Sequence, residues 1–545
     1  MEPIKEQTET FGAKTASMVY SVTTGQFLST VITLAMFIAL TRMLQPQNYG
    51  LYAFAIGYAT LIDAVSGFGV GAYFSTKISI NMYKKDSEQI FRVIRSGFAI
   101  LLPVAAFLTL FGIALSPYIA DVAFKGVGIG PLTLMLASAT IFFTMLQGTA
   151  SHALIGFGKS WYFSLVGTIV NVIQLVISIL LIYLGYGVNG AIAGLLVGYM
   201  VGSVLGVYYL LRFSSRYGKF RFIMPARKDI KAAFSFSAPI GVNRFLTSSL
   251  QNFSIILLGL YVVTATLGNY GAAMKGYNFM FFVYGTMTTI LVPAFSIAGV
   301  VKERGTLHTS YNSLLRYSML LTLPLIVYPA VFAGPGVYLF ISRSYATAGI
   351  FLSLISLGTA IGIVNSYLDS MMLAAGKTRK TMVYNTISGI IQLALLVTVV
   401  PYVYAASGHS QLLTVIAAIL SVFFVGNIIS NVLFQNGVRK HLGVNLKEAK
   451  ILRVFAANAV LGVILLAFLV ASGTLLSSAA TWLQDVAQLV AGITITMIVY
   501  PMLTVFFRAL DREDLKTIGA STAKLPLIKK PIALFLGYTA HFLPS

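Results

Sequence analysis

Residues Trp161–Leu211 read WYFSLVGTIVNVIQLVISILLIYLGYGVNGAIAGLLVGYMVGSVLGVYYLL, without one charged side chain. A helix that crosses the hydrocarbon core of a bilayer needs about 20 mostly apolar residues. The stretch therefore holds two crossings, at 161–184 and 188–211. Working outward, twelve more runs lie near 17–41, 50–79, 96–120, 131–157, 233–261, 266–299, 309–341, 346–375, 382–404, 411–435, 451–473 and 481–507. They are too long for barrel strands and do not alternate. The first is too long for a secretory leader and no small-residue cleavage site follows it, so it is expected to stay. These runs predict an all-α integral membrane protein of about fourteen transmembrane helices.

Composition points the same way. Of 545 residues, 57% are hydrophobic and 10% charged, with a mean hydropathy of +0.86, whereas a soluble domain carries about 25% charged residues. The absence of Cys excludes disulfides, thiolate catalysis and Cys-based metal sites. The five His residues stand far apart in sequence, so neither a metal nor a cofactor is expected. No nucleophile with a base and an orienting acid, and no pair of catalytic carboxylates, can be assembled. The chain does not read as an enzyme.

The net charge is +22, from 37 Lys and Arg against 15 Asp and Glu. With the N-terminus in the cytoplasm, 32 of the 37 basic residues fall on inner segments and three (Arg42, Lys125 and Arg343) on outer ones. That asymmetry is the positive-inside signal. It predicts a multi-pass protein of the cytoplasmic (plasma) membrane with both termini inside, and it accounts for the basic excess through anionic headgroups, with no nucleic acid required.

Short matches recur along the chain. Gly158-Lys159 and Gln174-Leu175 return as Gly376-Lys377 and Gln392-Leu393, both at an offset of 218, and Asn48-Tyr49-Gly50 returns as Asn269-Tyr270-Gly271 at 221. A near-constant offset predicts two pseudo-symmetric six-helix lobes. Six being even, they insert with the same orientation, as a parallel repeat. The expected organisation is a cytoplasmic N-terminus at 1–16, an N-lobe at 17–211 (spans 1–6) and a basic linker at 212–232. A C-lobe at 233–435 (spans 7–12), a basic loop at 436–450, two extra helices at 451–507 and a cytoplasmic or interfacial tail at 508–545 follow.

The two remaining basic residues, Arg244 and Lys275, fall inside spans 7 and 8, as the acids Asp63 and Asp369 do inside spans 2 and 10. Arg244 is about eleven residues deep, roughly 16 Å, and Lys275 about nine, roughly 14 Å. A centred Arg or Lys costs about 2.5–3.5 kcal/mol to insert, so each must face a wet cavity or a partner. Together they would form a cationic patch suited to a phosphate or an acidic sugar. Asp63 has three readings: counter-ion of Arg244, ligand of a coupling cation, or proton carrier. Asp369, nearer the inner end of its span, reads as an ion-pair partner or a solvated vestibule group. His152 sits almost where the repeat places Asp369, whose span-mate Ser370 is its formal equivalent, and reads first as a packing residue.

Several features have ordinary explanations. Gly158-Lys159-Ser160 and Gly376-Lys377-Thr378 resemble phosphate-loop tails, but Ala153 and Met371 stand where that pattern needs Gly. Gly190, Gly194, Gly198, Gly202 and Gly206 repeat every four residues and form a small-residue stripe for close packing within the N-lobe. Pro103, Pro239, Pro293, Pro324 and Pro329 are equally readable as hinges or static kinks. The apolar end of the tail, Leu525–Pro544, is expected to lie in the interface.

Thr41-Arg42-Met43-Leu44-Gln45-Pro46-Gln47-Asn48-Tyr49-Gly50-Leu51-Tyr52 resembles the T-R-x-L-G-P-x-x-[YF]-G-x-Y signature of O-antigen-type polysaccharide flippases, in the multidrug/oligosaccharidyl-lipid/polysaccharide exporter superfamily. Ala374-Ala375-Gly376-Lys377-Thr378-Arg379 resembles that family's link after span 10. Gln45 replaces the usual Gly. The resemblance implies two lobes around a cationic cavity that move a polyprenyl-(di)phosphate-linked oligosaccharide to the outer leaflet by alternating access. It implies membrane lipids and polysaccharide-assembly proteins as partners, and Arg42 as the signature cation at the outer mouth. The rival expectation is a small-molecule exporter driven by a proton or sodium gradient, which would want acids in its lumen.

Overall fold

The computed structural model describes residues 2–66, 69–122, 129–218, 223–279, 295, 304–444, 450–475 and 480–510; for 2–24, 65–66, 239–240, 242–251, 304–310 and 475 only the course of the backbone is described. The described residues form helices and short connections. They are α1 (Glu2–Ser66), α2 (Val70–Tyr83), α3 (Ser87–Val122), α4 (Pro131–Gly156), α5 (Ser160–Leu181), α6 (Gly187–Ser214) and α7 (Arg227–Gly259). A helix over 264–279 is α8. Then come α9 (Arg304–Phe340), α10 (Ala346–Ala374), α11 (Thr378–Ala406), α12 (Gln411–Ile419), α13 (Asn427–Leu442), α14 (Ile451–Leu475) and α15 (Thr481–Phe506).

Ten helical stretches among the described residues are long and apolar enough to cross a membrane. Two of them, Gly25–Ala64 and Ser160–Tyr217, are long enough for a pair of crossings and are broken in the middle. In α1 the break is Gln45, at φ 57° and ψ 168°. A residue before proline is disfavoured in the α region, and Pro46 then opens the next segment, where its fixed φ suits a first helical turn. Pro46 also deprives the Arg42 carbonyl of its i+4 donor, and the Gln45 side-chain amide supplies that bond instead, at 2.8 Å. Between α5 and α6 the chain reverses through Gly185 and Gly187, at φ 93° and 51°, positions that a side chain would strain. Spans 7 and 8 are expected where α7 and α8 lie. The expected continuous span at 50–79 is corrected: α1 ends at Ser66 and a separate helix, α2, starts after Gly69.

The chain divides into two compact units, Met1–Gly271 and Ala272–Ser545. The division falls inside α8, so α7, placed by the sequence with the C-lobe, belongs with α1–α6 in compactness. The reason is a close crossing of the second half of α1 with α8. A Cβ on Gly50 would clash with the Thr264 carbonyl, and one on Gly268 would clash with the Pro46 carbonyl; each would also stand 3.0 Å from the other glycine's nitrogen. Thr264 and Gly268 lie 218 residues after Pro46 and Gly50. Gly271, 218 after Ala53, meets that alanine's Cβ at 2.8 Å. The contact is thus reciprocal, a local twofold whose partners follow the same offset as the Gly-Lys and Gln-Leu matches. The Asn-Tyr-Gly match at 221 stands three residues out of that register.

Two further pairs keep the equivalence. Gly158 and Gly376 both end a helix at positive φ (66° and 73°). Each accepts the same cap, with Gly158 N–H on Ile155 and Lys159 N–H on Leu154 matched by Gly376 on Leu373 and Lys377 on Met372, all at 2.8–3.0 Å. The phosphate-loop look-alikes are therefore helix caps. Gln174 on α5 lies over Gly198 of α6, and Gln392 on α11 lies over Gly426 just before α13.

Within the first unit the glycine stripe does what its spacing predicts. A Cβ at Gly194 would enter Ser178 of α5, one at Gly202 would come within 2.9 Å of Gln147 on α4, and one at Gly206 within 3.1 Å of Ala150. The approach lets Ser178 Oγ donate across to the Ala191 carbonyl at 3.0 Å.

In the second unit α9 is the centre. Leu315, Met319 and Leu323 on α9, Ile363, Tyr367 and Met371 on α10, and Val454 and Leu461 on α14 make one buried apolar cluster. Spans 13 and 14 are joined to it by polar bonds as well. Pro324 removes the donor that would serve the Leu320 carbonyl, and the Tyr500 hydroxyl of α15 donates to that carbonyl at 2.8 Å. The bond that Pro324 removes is thus replaced from α15, while the non-helical backbone of α9 lies further on, at Phe332. The Tyr328 hydroxyl donates to the Leu489 carbonyl at 2.8 Å. Arg343, between α9 and α10, meets Asp485 of α15 at 2.9 Å and lies 4.9 Å over the Tyr338 ring.

Candidate functional site

Tyr52 and Asp63 lie eleven residues apart on the second half of α1, three helical turns, so they share a face. That face meets α5 and α6 inside the first unit. The Tyr199 hydroxyl of α6 hydrogen-bonds Gln174 of α5 and stands within electrostatic reach of the Asp63 carboxylate, with Tyr52 near Tyr199 in turn. Gln174 also reaches the Leu195 carbonyl at 3.5 Å. Gly198 makes this possible, because any larger residue there would occupy the space of the Gln174 side chain. Asp63 is half-buried, and a carboxylate at that position can exchange a proton or a small cation, or be held by neutral hydrogen bonds.

The other candidates are distributed. Lys275 is accessible on α8, one turn beyond Gly271, and forms no ion pair among the described residues. Arg244 is on α7, but its side chain lies outside the described residues. Arg42 is exposed at the end of the first half of α1, held in place by the Gln45 bond to its carbonyl. Asp369 accepts a hydrogen bond from the Asn385 amide of α11 at 3.2 Å. His152 packs its ring against Gly71 of α2, where a Cβ would stand 2.8 Å from it, and 5.9 Å from the Phe163 ring. No group of three His, Asp or Glu that could hold a metal exists among the described residues. Pro239, Pro293 and the tail 511–545 lie outside the described residues or side chains.

Four positions around these candidates have no signal in a single sequence. Tyr199 and Tyr52 look like ordinary span aromatics until the fold brings them near one another, with Asp63 in electrostatic reach of Tyr199. Gln174 is visible only as a mark of the repeat. Arg316, which charge sorting places with the inner segments, is buried at 7% exposure, five residues into the span Tyr311–Phe340, with its guanidinium 5.4 Å from the Tyr317 ring.

A family model described as "Polysaccharide biosynthesis protein" matches residues 16–298. No curated protein sequence matches the chain. Among solved structures, the lipid II flippase MurJ in an inward closed conformation is similar at a TM-score of 0.68 and 15% identity, over 89% of this chain and 98% of that one. An inward-facing multidrug resistance MATE family transporter of the MOP superfamily is similar at 0.61 and 16%, over 76% and 94%. A MOP superfamily transporter from Pyrococcus furiosus is similar at 0.55 and 16%, over 79% and 96%. At these identities the likeness is one of fold.

Proposed function

This chain belongs to the polysaccharide biosynthesis protein family, and from that premise we propose that it is a flippase. Its substrate is a polyprenyl-(di)phosphate-linked oligosaccharide, carried from the cytoplasmic to the outer leaflet by alternating access, for cell-surface polysaccharide or glycoconjugate synthesis. The observation that carries the reading is the reciprocal crossing of Gly50 with Gly268, at the same 218-residue offset as the two helix caps and the two glutamines that lie over glycines. Two homologous halves inserted in one orientation are the build of a transporter that opens alternately to either side.

Arg244 and Lys275 would receive the phosphate or an acidic sugar, since a cation at membrane depth is costly unless a wet cavity or a counter-charge stabilises it. Arg42 would meet the headgroup at the outer mouth. Asp63, beside Tyr199 and Gln174, would serve as the coupling or structural carboxylate, and Asp369 as a positioning group at the inner end of α10. The protein would lie in the plasma membrane with both termini cytoplasmic, as the distribution of basic residues supports.

The test is flipping of a fluorescent polyprenyl-phosphate-linked sugar in proteoliposomes, comparing wild type with Arg244→Ala plus Lys275→Ala. Loss of flipping in a variant that still inserts supports both function and site. Flipping that survives the substitutions keeps the function and discards the site. Efflux of small dyes without flipping by wild type moves the answer to the exporter class.

A further inference from the structure

In the first unit, α2, α3 and α7 line a half-open cavity of about 640 Å³. Its walls follow from helix geometry. Lys77 and Asn81 are four residues apart on α2, Gln89 and Arg92 three apart on α3, and Asp229 and Ser235 lie along α7, so each helix presents one polar face inward. The cavity lies at the helix ends that carry the basic connecting segments, the side that charge sorting places in the cytoplasm.

Its chemistry is specific. Lys77 is half-buried and has no carboxylate partner among the described residues; its ammonium rests 5.3 Å over the Phe236 ring. A cation held by a ring face keeps its N–H donors for a ligand. Arg92 gives its Nε and one Nη to Glu88, at 3.1 and 2.6 Å, which fixes the guanidinium and leaves its other amino group toward the cavity. Of the two cations in the lining, Arg92 is already paired with Glu88 and, among the described residues, Lys77 is not, so Lys77 is the charge that an anionic phosphate meets first. The side chains of Asn81, Gln89 and Ser235 make no hydrogen bond among the described residues. With the Asp229 carboxylate they offer the mixed donors and acceptors that sugar hydroxyls require. A lone phosphate site would have no use for Asp229, whose charge opposes it.

We propose that this cavity is a cytoplasmic-side binding site for a glycosyl phosphate, with the phosphate on Lys77 and Arg92 and the sugar hydroxyls on Asp229 and the amides. The same headgroup exists on a membrane-borne lipid and on a soluble sugar phosphate. The site does not depend on the transport reading, because binding is measured without translocation.

The experiment is titration of the full chain in nanodiscs with three probes: glucose 1-phosphate, inorganic phosphate and polyprenyl-phosphate glucose. Lys77→Met should weaken glucose 1-phosphate at least tenfold. Asp229→Asn should weaken it while binding inorganic phosphate as tightly as wild type or more tightly, because the opposing charge is gone. Ser235→Trp, at an exposed position on the rim, should block the cavity without disturbing the packed core, which keeps the test valid if the Lys77 variant fails to fold. Binding of the lipid-linked probe alone assigns the site to the membrane-borne headgroup, and binding of both admits the soluble source; either supports the proposal. Absence of binding by wild type to both glucosyl probes overturns it, as does binding indifferent to Lys77→Met and Ser235→Trp. Flipping measured on the same variants separates the failure of this site from the failure of the flippase reading.

Discussion

Replacing Tyr500 with Phe tests whether α15 staples α9 by supplying the hydrogen bond that Pro324 removes. The Tyr500 side chain is 6% exposed and its hydroxyl donates to the Leu320 carbonyl at 2.8 Å. Leu320 would ordinarily bond the N–H four residues on, but that residue is Pro324. Without the hydroxyl a buried carbonyl is left without a donor, at a cost of about 1–3 kcal/mol. The contact from Asn458 adds little, since at 3.4 Å it is long and the same amide keeps the Val454 carbonyl at 2.9 Å. The expected loss is about 2 kcal/mol, roughly a thirtyfold shift in the unfolding equilibrium. In a Pro324→Ala background the alanine N–H can serve Leu320, and the cost of Tyr500→Phe should fall to about 0.5 kcal/mol. Reversible unfolding in mixed micelles of the four proteins gives the cycle directly. A coupling near 1.5 kcal/mol is expected, well above the ~0.5 kcal/mol scatter of independent sites. Equal costs in the two backgrounds would refute the staple.

Gly50→Ala and Gly268→Ala should each destabilise by about 1–3 kcal/mol through overpacking, and by similar amounts because the contact is reciprocal; melting curves showing an effect at one position only would remove the twofold. Arg343→Ala should lower the melting temperature more than Asp485→Asn, because the first strands a carboxylate at 8% exposure whereas the second leaves a half-exposed guanidinium that water can solvate; the reverse order would deny that the pair anchors α15. Gln45→Gly should stabilise relative to Gln45→Ala by about 1–3 kcal/mol, since alanine keeps the strained backbone and loses the bond to Arg42. A thermal ranking with the alanine variant on top would show that Gln45 bears no strain.

What could be read from residues alone was what depends on short-range rules. Run length predicts spans, and the basic residues on connecting segments predict orientation, because both follow from transferring single side chains into a bilayer. The repeat was legible in Gly158 and Gly376 because a helix cap needs a left-handed residue wherever it occurs. The register of the Asn-Tyr-Gly match was misleading, because three residues is nearly one helical turn and a turn's slip keeps the same face. The break after Ser66 was hidden for a similar reason: an apolar run has the same composition whether or not the helix is continuous.

The candidate site was legible only in its charges. Asp63 and Lys275 declare themselves by their cost at membrane depth. Tyr199, Gln174 and the cavity between α2, α3 and α7 do not, since their partners are far away in sequence and neutral or loop-like in composition. Pro324 shows the division clearly. The sequence determined that the Leu320 carbonyl must lose its donor, because proline has no N–H. Only the tertiary structure decided what replaces that donor, because only packing α15 against α9 brings the Tyr500 hydroxyl, 180 residues away, to that carbonyl.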